Sequence, residues 1–255
     1  MIEILVVLVV AIAVFIVFYR QAIEQYNILQ IESTQVSELP KLLSERTPVV
    51  IRSIGEPKLF TPDTLKQNPR LLSFPIEPTV NLGTYLQSPK QVVKLSTKSA
   101  TVLANESGVQ VWAEHLWFPK LFSNSWWEMI HSLSSEAWVG EKGLRKTTAI
   151  TTLLYPTSGT LEVTLLTEHQ EQFLPKVWRG RFPDQFTVRD TPLVGEIKYI
   201  TIKLRPGTML CLPTHWYVSI KAAEESKTSP LLWTWIQLHN PISLVASKME
   251  SSMVA

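Results

Sequence analysis

Pro206-Gly207-Thr208-Met209-Leu210-Cys211-Leu212-Pro213-Thr214-His215-Trp216-Tyr217-Val218-Ser219-Ile220 is the stretch on which the fold turns. Arg205-Pro206-Gly207-Thr208 reads as a tight turn, because proline presets φ and glycine accepts the positive φ that such turns require. Met209 to Leu212 is a short buried run, Pro213-Thr214-His215 turns the chain again, and Trp216 to Ala222 forms the next strand. A period of two puts Trp216, Val218 and Ile220 on one face. Working outward, Ile197 to Leu204 alternates as a strand, Glu224 to Pro230 is a polar loop, and Leu231 to Leu238 is another strand. Strands of this length with tight turns and no helical pattern between them predict an antiparallel sandwich or barrel. The fold class expected is mostly β with accessory helices.

The 255 residues are 45% hydrophobic, enough to bury a substantial core. Their 24 basic and 22 acidic side chains nearly balance, with no Lys/Arg block long enough to track a phosphate backbone, so nucleic-acid binding has no support. From Ile4 to Tyr19 no residue is charged, and Glu3 and Arg20 flank the run. That is close to the roughly 20 helical residues needed to cross about 30 Å of hydrocarbon, provided Glu3 and Arg20 sit at the two interfaces. A cleaved signal peptide expects a basic leader and a small-residue cleavage site, and the segment has neither. Residues 1–20 are therefore expected to be a transmembrane anchor with residues 4–19 in the lipid bilayer. Arg20 on the C-terminal side favours a single-pass protein with a cytoplasmic domain. The lone Cys211 rules out an intrachain disulfide, in keeping with a reducing compartment.

Beyond the anchor, residues 21–38 are expected to form a helical stalk, with Ile23, Tyr26 and Ile31 on one stripe. Residues 39–241 are expected to form the β-barrel domain and residues 242–255 a polar tail. The Pro-rich text from Pro40 to Pro89 holds one buried strand, Pro48-Val49-Val50-Ile51-Arg52, among irregular stretches that wrap the domain. Between Trp112 and Trp138 aromatics are dense, with a helical interval around Ser125 to Leu133; core filling is the expected role of these rings.

Three segments together carry a resemblance. Pro206 to Ile220 resembles the distal strand pair of cupin-like, JmjC-type proteins, roughly P-G-D-x-L-x-I-P-x-x-W-x-H-x-V. Pro48-Val49-Val50-Ile51-Arg52 resembles an early strand of that family, and Trp138-Val139-Gly140-Glu141-Lys142-Gly143 its W-x-G-x-x-G segment. The resemblance implies a cupin-like double-stranded β-helix, a jelly-roll barrel. Active members are implied to be Fe(II)/2-oxoglutarate dioxygenases whose iron is held by two His and one carboxylate. Carried over position by position, the ligands fall at Ala149, Thr151 and Val218, none of which can bind iron as required. The expected interior is hydrocarbon at the metal position, with no catalytic residue, no cofactor and no metal. An alternative ligand set is His169, Glu171 and His215, with Fe(II) and 2-oxoglutarate as cofactors; its spacing is against it, since His169 follows the strand Leu161 to Leu166 in a loop.

Other chemistries have less support: the sequence has no G-x-S-x-G elbow, P-loop, paired-Cys motif or H-E-x-x-H, and Cys211 sits in an apolar strand as a packing residue. Trp178-Arg179-Gly180-Arg181-Phe182-Pro183 mixes aromatic and basic side chains in a loop that could meet a partner or lipid headgroups. The expected function is a membrane-anchored, non-catalytic interaction or scaffold module with a protein partner. The alternatives are a divergent Fe(II)/2-oxoglutarate oxygenase and a structural membrane protein of a virion or organelle.

Overall fold

A computed structural model describes residues 27–55, 59–89, 93, 95–116 and 131–245, together with Val10 and Val14. Strand periodicity governs most of it. The strands are β1 (Leu29–Glu32), β2 (Val49–Arg52), β3 (Pro75–Glu77), β4 (Val80–Asn81), β5 (Ser132–Val139), β6 (Lys142–Lys146), β7 (Thr151–Ser158), β8 (Leu161–Leu166), β9 (Ile200–Leu204), β10 (Met209–Pro213), β11 (Tyr217–Ala222) and β12 (Leu232–His239). Two sheets face each other, one ordered β1-β2-β10-β7-β12-β5 and the other β6-β11-β8-β9. From β5 to β12, successive strands alternate between the two sheets except for β8 and β9, which are neighbours in the four-stranded sheet, and each pairing within the eight is antiparallel. This is the strand order of a double-stranded β-helix, the jelly-roll barrel of cupins. The expected barrel is therefore present, with β2 and β1 added at the free edge of β10.

Alternation sorts the side chains into an interior and two outer faces. Leu154, Leu210, Trp235, Val163, Leu165, Val218 and Ile220 belong to the cluster between the sheets. Leu153, Tyr155, Cys211, Ile236 and Leu238, one residue out of phase, pack on the back of the six-stranded sheet. Leu144, Leu166 and Tyr217 face outward from the four-stranded sheet beneath Leu174 and Phe186. Cys211 is fully buried in its strand, and burial pushes its thiol well above the usual range.

Short capped helices occupy the Pro-rich region: α1 (Leu39–Ser44), α2 (Pro62–Lys66), α3 (Pro69–Leu72) and α4 (Leu82–Gln87), followed by α5 (Thr97–Glu106) and α6 (Val109–Leu116). Thr61, Asn68, Asn81 and Ser96 each cap a helix with a side-chain oxygen, and Pro62 and Pro69 stand where a helix has no N–H to lose. The text expected to be irregular is thus helix punctuated every few residues. Tyr85 of α4 closes on the barrel: its hydroxyl accepts from the Leu231 N–H at 3.0 Å and donates to the Leu231 carbonyl at 3.3 Å. Burial raises its pKa to about 12.

Two sequence expectations are corrected. Leu29–Glu32, assigned to a helical stalk, is a strand parallel to β2, with Leu29 opposite Val49 and Ile31 opposite Ile51. The stripe of Ile23, Tyr26 and Ile31 matched a helical period, but Leu29 and Ile31 alternate with exposed Gln30 and Glu32, and a free sheet edge is there to be paired. Ser132 and Leu133, given to a helix, open β5 and pair with His239 and Leu238. The expected anchor, residues 4–19, lies outside the described residues apart from Val10 and Val14, as do residues 21–26 of the stalk, residues 117–130 and residues 246–255 of the tail. Among the described residues no helix is long and apolar enough to cross a membrane.

Gly207 has φ +87°, as the turn before β10 demands. Gly143 is required for another reason: a Cβ there would lie 2.0 Å from the Gly180 carbonyl oxygen, where the segment after β8 crosses β6. The crossing is fixed by Gly180 N–H to Leu144 O at 2.9 Å and Leu144 N–H to Arg181 O at 2.8 Å. Gly143→Ala is expected to cost about 3 kcal/mol, read as a lower urea midpoint, because only backbone could yield. Removing residues 1–26 should leave the barrel's stability unchanged. Removing residues 1–32 should lower it by roughly 2–3 kcal/mol, since Leu29, Ile31 and the β1 ladder go with them.

Candidate functional site

The interior of the barrel holds a polar layer that the motif reading missed. Across the six-stranded sheet, Glu136 of β5 lies opposite Trp235 of β12, which lies opposite Leu154 of β7, and Trp138 lies opposite Trp233. One step along, Gln237 lies opposite Thr152. From the facing sheet Arg145, paired in register with Val218, reaches across to Glu136 at 3.2 Å. The same carboxylate oxygen accepts from Trp138 Nε1 at 2.7 Å. The Arg145 guanidinium stands 4.4 Å from the centroid of the Trp235 ring, and Lys142 Nζ stands 3.8 Å from that of Trp138. Trp138 and Trp233 stack at 5.7 Å. Two cations, one buried carboxylate and three indoles therefore share one chamber.

Its electrostatics follow from burial. Lys142 is lowered to about 8, first by burial and then by Arg145, with Glu136 opposing. His239, on the same face of β12, is lowered by burial against the pull of Glu136. Two polar atoms in this layer, Thr152 Oγ1 and Trp235 Nε1, are buried and have no hydrogen-bond partner among the described residues. Each such atom carries a desolvation cost of about 1–3 kcal/mol, which a bound polar group or water would relieve.

The positions expected to replace iron ligands have other tasks. Val218 is fully buried in the interior cluster, as predicted from its register with Trp216. Thr151 opens β7 opposite Leu238, out of phase with the inward Thr152, so it does not share Val218's face. Ala149 is buried in the connection from β6 to β7. That connection is a clasp built on Thr147. Its hydroxyl donates to Pro213 O at 2.9 Å and accepts from Trp216 N–H at 2.9 Å. Its backbone bonds Trp216 O and His215 N–H, each at 2.8 Å. The clasp holds His215 at φ +68° in the turn before β11.

The alternative ligand set is not assembled. A cavity of about 380 Å³ at the end of the barrel is lined by His169 and His215 together with Glu168, Arg46, Asn27 and Trp216, but not by Glu171. His215 Nδ1 is 3.6 Å from Glu168. The Glu171 carboxylate is engaged by Lys146 at 3.0 Å and by Tyr217, whose hydrogen bond is the main cause of its lowered pKa. Among the described residues no group of three His, Cys, Asp or Glu is placed to hold a metal ion. Neither set of residues fits the iron of the dioxygenases, and no reaction step is derived through it.

The missed residues had a weak signal in the sequence. Ser134, Glu136 and Trp138 share a face by alternation, so Glu136 could have been placed inside with Trp138. Arg145 could not, because nothing near it in sequence shows that β6 pairs with β11 and so faces Glu136 from the other sheet.

No family model matches the chain, and no curated protein matches it. Among solved structures, Drosophila melanogaster CENP-C bound to CAL1 is similar over 41% of this chain and 63% of its own, at 16% identity and TM-score 0.26. Hydroxypropylphosphonic acid epoxidase from S. wedmorenis is similar over 42% of this chain and 43% of its own, at 11% identity and TM-score 0.27. Streptomyces albus HEPD with 2-hydroxyethylphosphonate and Fe(II) bound is similar over 43% of this chain and 18% of its own, at 11% identity and TM-score 0.26. The chain thus spans less than two-thirds of each. The assignment of the barrel rests on its own strand order.

A lysine depressed by burial makes folding disfavour its charged form. The unfolded chain then binds more protons between about pH 8 and the ordinary lysine range near 10.4, and stability rises with pH across that window. The raised Cys211 thiol acts in the opposite sense above about pH 8.5, and the raised Tyr85 above about pH 10. From pH 7.5 to pH 9.5 the wild type is expected to gain about 2 kcal/mol by urea unfolding relative to Lys142→Met, the opposing contribution of Cys211 being common to both.

Proposed function

We propose that the chain is a membrane-anchored, non-catalytic cupin-like barrel that works as an interaction module for a protein partner. One observation carries the reading: a guanidinium, Arg145, stands directly opposite Val218 in the strand pair where the resemblance would put iron, and it takes the buried carboxylate Glu136 as its own counter-ion. A fixed cation there opposes a divalent metal, and Glu136 is already committed. The anchor is supported by the uncharged run of residues 4–19, and the cytoplasmic placement of the barrel by Arg20 and the single Cys211.

The full chain, purified in detergent and supplied anaerobically with Fe(II) before oxygen and 2-oxoglutarate, is expected to release no succinate. Steady turnover would overturn the reading. Val218→His should lower stability by about 1–3 kcal/mol, since the imidazole enters the buried interior directly beside the Arg145 cation, and should bring no iron affinity by calorimetry. Adding Ala149→His and Thr151→Asp should not rescue binding, because residue 151 does not share the inward phase of residue 218.

A further inference from the structure

Residues 167–199, between β8 and β9, lie as a strap over the outer face of the four-stranded sheet. Leu174 and Phe186 fasten its underside to Leu144, Leu166 and Tyr217, and Trp178 meets Tyr217 edge-on at 5.0 Å. Two of its acids are spent on holding it in place. Asp190 takes both guanidinium nitrogens of Arg181 at 2.7 and 3.0 Å, and Asp184 takes Lys221 at 2.5 Å.

The outward side of the strap is unlike the rest of the surface. Val177, Val188, Leu193 and Tyr199 are 72%, 69%, 46% and 45% exposed. Of the ten large exposed hydrophobic residues among those described, Val10 and Val14 fall in the expected anchor, and these four are half of the remaining eight. Exposed Lys176 and Arg189 sit directly beside Val177 and Val188 in sequence and have no ion-pair partner among the described residues. Apolar side chains interleaved with cations on an outward surface match the boundary between acyl chains and anionic headgroups.

Chain length agrees. Asn27 lines the same cavity as Thr167, Glu168 and His169, where the strap leaves β8. The seven residue-to-residue steps from Arg20 to Asn27 reach at most about 25 Å. A span ending near Arg20 therefore delivers the chain to the barrel beside the root of the strap.

We propose that the outward side of the strap is a lipid-docking face that lays the four-stranded sheet on an anionic leaflet. The inference rests on the anchor proposed above, and the experiment separates the two. The full chain carrying Val188→Cys is labelled with a polarity-sensitive thiol dye; Cys211 is buried and stays unlabelled. It is reconstituted into phosphatidylcholine vesicles with or without phosphatidylserine. With phosphatidylserine, the dye should shift to the blue, brighten about twofold, and be quenched by brominated lipid. The charge reversals Lys176→Glu and Arg189→Glu should return it to its emission in water. A dye at Val102→Cys, on α5 against β5 of the other sheet, should not respond in either vesicle. A chain that fails to float with vesicles overturns the anchor and the docking face together. A chain that floats while the dye at 188 reports water overturns the docking face alone, and an equal response without phosphatidylserine overturns the anionic assignment.

Discussion

Everything inside the barrel is arranged around one ion pair. Glu136 and Arg145 come from opposite sheets, so neither sheet can be moved without stranding a charge in an apolar interior. Removing one partner of such a pair costs more than the pair's attraction contributes, because the survivor is left desolvated. The surrounding groups follow from that demand. Trp138 supplies the second donor to Glu136, Trp235 supplies a ring face for the guanidinium, and Lys142 is held over Trp138 at the expense of its own proton affinity.

The same pair changes what the fold can do. A jelly-roll barrel offers its interior as a place for chemistry, and function depends on which side chains its strands deliver there. Here they deliver a permanent cation beside Val218, and the connection that carries Ala149 is a hydrogen-bonded clasp centred on Thr147. The strand order is that of a jelly-roll barrel, and the described residues inside it meet by packing and charge compensation.

How far the sequence could be read depended on whether the information was local. The turn at Gly207, the buried run at Met209, the strands from Tyr217 and Leu232, and the inward face of Val218 all follow from a period of two and turn chemistry confined to a few residues. Val49 to Arg52 was legible for the same reason. The failures concern partners that only the pairing and facing of strands bring together. Leu29 and Ile31 cannot reveal that β2 awaits them, and Arg145 cannot announce Glu136, which stands in the facing sheet. Gly143 was noticed as part of a motif, yet its cause is the backbone of Gly180, 37 positions later.

The parallel pairing of β1 with β2 also decides how the barrel bears load. The first described strand of the chain, β1, takes the outermost position of the six-stranded sheet. When the tug runs along the strand, the ladder bonds between β1 and β2 lie across it and must shear together; when it runs sideways, they part singly like teeth of a zip. The direction of a pull on the chain before β1 therefore sets the mechanical strength of this edge without altering a single contact.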